Sequence, residues 1–71
     1  MSILGYDGMV ALDSSFIAAV GYDPWSGTLV VLMHSGQSYE YHRVPWSVYA
    51  GLMNASSIGA YYNAYIKGRY A

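Results

Sequence analysis

Within seven residues the hydrophobic period of this chain changes from two to about three and a half, and that change constrains its fold more than any other feature. Tyr39-Glu40-Tyr41-His42-Arg43-Val44-Pro45 sets two tyrosines at i and i+2, on one face of a strand. A proline follows, whose fixed φ suits the opening of a helix and which needs no amide partner. Strand before and helix after, switched once, point to an α+β fold.

Upstream, Phe16 to Tyr22 reads as a strand with Phe16, Ala18, Val20 and Tyr22 on one side, and Asp23-Pro24-Trp25-Ser26-Gly27 as its turn. Thr28 to Met33 is apolar on both faces, so both are expected to be covered. The loop His34-Ser35-Gly36 decides the register of the next strand. A two-residue loop would put Tyr39 and Tyr41 beside Val30 and Leu32. A three-residue loop, with Gly36 left-handed, puts them beside Leu29, Val31 and Met33. The second is expected, because it gathers the large apolar groups on one face. Val30 and Leu32 then share the outer face with Ser38, Glu40 and His42, and are the expected contact for a second subunit.

Downstream, Val48 with Leu52 and Tyr49 with Met53 mark a short helix, in which Gly51 suggests close approach of another backbone. Ser56 can cap a second helix carrying Ile58, Tyr61, Tyr62, Tyr65 and Ile66 on one stripe. The expected architecture is a three-stranded antiparallel β-meander followed by two short α-helices packed on one face, βββαα, with Tyr39 and Tyr41 in the core beneath the helices. Residues 1–13 are expected to be an N-terminal arm or an extra edge strand, and 14–71 the domain.

So short a chain buries only about 60% of the surface its unfolded form exposes. Yet 55% of its residues are hydrophobic, including nine Tyr, two Trp and one Phe, so self-association is expected to cover the surplus. There is no cysteine and no zinc-ligand spacing, and no cofactor is expected. No apolar run approaches a membrane span, so a soluble, cytoplasmic protein is expected, in the host cytoplasm if the protein is viral.

Three cations against four acids make strong duplex DNA binding unexpected. Arg43, Lys67 and Arg69 are the whole cationic set; ending a strand and a helix, they are expected to meet at one end of the molecule, with Tyr70 or Trp25 placed to stack. Asn63 either bonds buried backbone or reads a ligand edge. Glu40 and His42 point the same way but have no third ligand, and no metal site is expected. Ser14, Ser15, Ser56 and Ser57 lack a recognisable base and orienting acid, so no enzyme activity is expected.

Ser14-Ser15, Val20-Gly21-Tyr22-Asp23, Leu29 to Met33, Ser35-Gly36, Tyr39-Glu40-Tyr41, Val44-Pro45, Tyr49 and Ala55-Ser56-Ser57-Ile58-Gly59-Ala60-Tyr61-Tyr62-Asn63 with Ile66 together resemble the KTSC domain. The resemblance runs from Ser14 to Tyr70. This family is found at the C-terminus of some lysyl-tRNA synthetases and as small bacterial and phage proteins, and Tyr39-Glu40-Tyr41 stands at its tyrosine-any-tyrosine signature. It implies RNA binding without an established reaction. Val30 and Leu32 depart from it, where charged residues are often found. The function expected is thus a non-enzymatic module that binds RNA or a small nucleotide as a homo-oligomer. The alternative is a protein-interaction module docking through an apolar sheet or helix face.

Overall fold

The computed structural model describes residues 9–70. Four strands, β1 (Val10–Ala11), β2 (Ile17–Asp23), β3 (Thr28–Met33) and β4 (Ser38–Tyr41), form one antiparallel sheet in the order β1-β2-β3-β4. Two helices follow, α1 (Trp46–Asn54) and α2 (Ile58–Tyr65). The sheet has one strand more than the meander read from the sequence. Val10 pairs with Val20 and Ala11 with Ala19, so the segment before the domain supplies a short edge strand. The first eight residues of the expected arm, and Ala71, lie outside the described residues.

The β3–β4 register is the one that a three-residue loop imposes: Leu29 faces Tyr41, Val31 faces Tyr39, and Val30 faces Glu40. Gly36 adopts φ +97°, a region that a Cβ disfavours. Its amide donates to the Met33 carbonyl at 3.0 Å, while the Met33 amide donates to the Gln37 carbonyl at 2.8 Å.

Strand β2 departs from the alternation read in the sequence. Its pairing with β3 shifts between Ile17 and Ala19, so Ala18 is an extra residue and the sides invert there. Ile17, not Phe16 or Ala18, joins Val20 and Tyr22 on the inner face. Local hydrogen bonds hold the bulge. The Ser14 hydroxyl accepts from the Phe16 and Ile17 amides at 3.4 and 3.3 Å, and the His34 amide donates to the Phe16 carbonyl at 2.9 Å. Phe16 is left to meet α2, with its ring edge-on to Tyr62 at 6.1 Å.

The core lies between the inner face and the helices: Ile17, Val20, Leu29, Val31, Tyr41, Val44, Leu52, Tyr62 and Ile66. Each fully buried aliphatic side chain here contributes about 1.5–3 kcal/mol. Ala19, Gly21, Val30 and Leu32 occupy the other face, and none of them joins this cluster. Pro45 is the N-cap of α1, with φ −64° and ψ 150°, one position before the first turn. Its carbonyl accepts from Val48 at 3.0 Å. What approaches Gly51 is the Tyr61 ring rather than a backbone; an added Cβ would lie 2.7 Å from Tyr61 Cζ. Ser57, not Ser56, caps α2, accepting from the Ala60 amide at 3.4 Å.

The two tyrosines of the signature part company. Tyr41 is 8% exposed and its hydroxyl is hydrogen-bonded to that of Tyr62, whereas Tyr39 is 42% exposed and donates to Gln37 Oε1 at 2.8 Å. The expectation of two core tyrosines therefore holds for Tyr41 and fails for Tyr39. As the edge strand, β4 has a neighbour on one side only, and α2 reaches Tyr41 but leaves Tyr39 at the margin of the helix layer.

Candidate functional site

Where β4 ends beside the segment that follows α2, His42, Arg43, Arg69 and Tyr70 line an open cavity of about 470 Å3. Arg43 takes φ +59°, a left-handed conformation that costs a side-chain-bearing residue roughly 1–2 kcal/mol. The fold holds it there from both sides. The Val44 amide donates to the Gly27 carbonyl at 2.8 Å, and the Tyr22 hydroxyl donates to the Val44 carbonyl at 2.6 Å.

Gly27 makes this possible. With φ +73° it lies so close that an added Cβ would stand 3.3 Å from Val44 N and 3.4 Å from Arg43 Cα. Its turn is set by Asp23, whose carboxylate accepts from the Trp25 amide at 2.9 Å and the Ser26 hydroxyl at 3.0 Å. Burial and the nearby Asp23 charge push the Tyr22 phenol above its ordinary pKa, which keeps it a neutral donor. Its ring stacks on Tyr49 at 4.7 Å and 9°, with Trp46 tilted against both.

Across the cavity, the Arg69 amide donates to the Ile66 carbonyl and its Nε to the Ala64 carbonyl, both at 3.0 Å. The terminal guanidinium nitrogens of Arg69 have no further partner among the described residues. Tyr70 packs partly against the core. Among the described residues no side-chain carboxylate lines the cavity. Glu40 Oε1 lies 3.8 Å from His42 Nε2, with both side chains more than half exposed and so weakly coupled.

The expected ligand set is thus divided. Arg43, Arg69 and Tyr70 converge. Lys67 and Asn63 line a separate cleft of about 220 Å3 with Phe16, Met33, Tyr39, Tyr41 and Tyr62. Trp25, 91% exposed in the β2–β3 turn, lines neither. A third hollow, between residues 13–16 and the start of α2, brings Ser14, Ser15, Ser56 and Ser57 together, but the Ser14 and Ser57 hydroxyls already accept from backbone amides. In the sequence, His42 pairs with Glu40 and carries no expected ligand contact. Its place beside Arg43 at the end of β4 was the available signal for its role in the cavity wall. Trp46, 61% exposed at the first position of α1, gave no sequence signal of exposure.

Among the described residues no group of three His, Cys, Asp or Glu could hold a metal ion, and no helix is long and apolar enough to cross a membrane. Burial, reinforced by the hydrogen bond to Tyr41, raises the Tyr62 phenol, which lines the Lys67 cleft, far above its ordinary pKa.

The family model for the KTSC domain matches residues 13–70. The chain is 43% identical over 58 residues to a lysine–tRNA ligase of Nostoc sp., a match that covers 82% of this chain and 10% of the ligase. It is 37% identical over 62 residues to a protein of Tsukamurella paurometabola, covering 87% of this chain and 92% of that one. The crystal structure of a KTSC domain protein from Yersinia pestis superposes with a TM-score of 0.86 at 30% identity, over 89% of each chain. The chain therefore spans about a tenth of the ligase that it matches, but most of the two smaller proteins.

Proposed function

From this chain's membership of the KTSC domain family, to which it belongs, and from its cation-lined cavity, we propose that it is a small, non-enzymatic cytoplasmic module that binds RNA or a small nucleotide as a homo-oligomer. The observation that carries the reading is the convergence of Arg43 and Arg69 in a cavity whose other walls, His42 and Tyr70, can also donate hydrogen bonds. The end of β4 and the segment that follows α2 bring these donors together, and no acidic side chain among the described residues joins them. Such a wall fits an anion with several acceptor oxygens. The ligase relative has a tRNA substrate in its name, and an RNA ligand for the shared segment is in keeping with that.

Two arginines limit the ligand to one or two phosphates, so a short single strand or a free nucleotide fits better than a duplex. Tyrosine fluorescence titrated with a short oligoribonucleotide is expected to report binding that weakens with salt, with a slope of about −1.4 in log K against log salt for two contacts. Arg69→Ala is expected to abolish it. Binding that is indifferent to both salt and Arg69→Ala would reject the site.

Protein docking is the second reading. It is favoured by the outer sheet face around Val30 and Leu32, which joins no described core, and predicts salt-insensitive capture of a partner that is lost in Leu32→Glu.

A further inference from the structure

Resting on the nucleotide reading, the geometry points to a narrower ligand: we infer that the Arg43–Arg69 cavity selects a terminal phosphomonoester over an internal phosphodiester. Among the described residues the wall consists of His42, Arg43, Arg69 and Tyr70, every one a hydrogen-bond donor, and none of these brings a side-chain carboxylate. The Arg69 side chain bonds, among the described residues, only through its Nε, to the Ala64 carbonyl, and the Arg43 guanidinium makes no hydrogen bond to them.

That is a surplus of donors for one phosphate. A phosphodiester presents two non-bridging oxygens and a single negative charge. A phosphomonoester presents three terminal oxygens and nearly two charges at neutral pH. The second charge interacts with two cations at once, while Glu40, set beyond His42 on the outer face, opposes both ligands. At this solvent-open site screening reduces the gain, and about a ten-fold preference for the monoester remains.

The same group occurs on a free nucleotide and at the end of an RNA chain, so the test needs arms for both. The full chain is titrated, by calorimetry and 31P line width, with adenosine 5′-monophosphate, adenosine, the dinucleoside monophosphate ApA, inorganic phosphate, and a hexaribonucleotide with and without a 5′-phosphate. The monophosphate is expected to bind about ten-fold tighter than ApA, and the phosphorylated hexamer about ten-fold tighter than its unphosphorylated form.

Arg43→Gly supplies the control, since glycine accepts φ +59° and removes the cation without disturbing the turn. It is expected to erase the preference while urea unfolding shows an intact fold. Equal binding of both hexamers, still lost in Arg69→Ala, would overturn the monoester inference and leave the RNA reading standing. Inorganic phosphate binding as tightly as the nucleotide would sustain the monoester inference and overturn the nucleotide reading. Absence of binding in every arm would overturn both.

Discussion

Tyr41 and Tyr62 show how one hydroxyl pair fastens sheet to helix. Their rings meet edge-on at 6.1 Å and their hydroxyls are hydrogen-bonded, each thereby sparing the other a buried, unpaired polar group. Removing either hydroxyl by Tyr41→Phe or Tyr62→Phe is expected to cost about 1 kcal/mol, and the double substitution less than the sum, since no orphan then remains. Urea unfolding of the three variants measures this; strictly additive costs would refute the pairing. The raised Tyr62 pKa carries a sign of its own. In the folded chain the phenol holds its proton beyond the pH at which the unfolded chain releases it, about 10, so the unfolded state binds fewer protons there. Stability should be flat in this respect below about pH 10 and fall above it, and Tyr62→Phe should make the alkaline fall shallower; the shift at Tyr22, of the same direction, leaves part of the slope.

Helix α2 has eight residues, too few to persist alone, and depends on its cap and on the burial of Tyr62 and Ile66. Ser57→Ala is therefore expected to lower stability by about 1 kcal/mol, whereas Ser56→Ala stays within about 0.5 kcal/mol. Thermal melts of the pair decide it, and equal effects would count against the cap. Elements differ in how plainly the chain announces them. Gly36 disclosed the β3–β4 register, because a left-handed residue in a three-residue loop leaves only one alignment that gathers Leu29, Val31 and Tyr41 together. The β2 bulge was hidden for a physical reason: Phe16-Ile17-Ala18-Ala19-Val20 is apolar at every position, so no periodicity marks where the sides invert. Strand β1, two residues long, is too short to have a period at all.

The molecule as a whole has a radius of gyration of 11.0 Å, close to the value of about 11 Å expected for a compact chain of its length. Its surplus aromatic area is thus not absorbed by swelling. It stands on the surface, with Trp25 at 91%, Trp46 at 61% and Tyr65 at 55% exposure. Sedimentation velocity is expected to find an oligomer at about 100 μM, of the kind that exposed apolar area drives, and Leu32→Glu is expected to dissociate it. A monomer in the unmodified protein would end the proposal. At this scale the candidate site was half legible. Arg43 and Arg69 could be placed together because they follow β4 and α2 at the same end, although α2 stops at Tyr65, short of both Lys67 and Arg69; Lys67 lies before the reversal at Gly68, φ +79°, and faces another cleft. Trp25 could not be placed, because nothing in a turn's composition says which way its ring projects. The sheet's wiring has one more consequence. Among the described residues each strand pairs only with its neighbours along the chain, so no sheet pairing has to be threaded or to wait for a distant strand. A unit so assembled can be grafted into a larger polypeptide or carried alone with little penalty, as its kinship with both a ligase segment and small free-standing proteins illustrates.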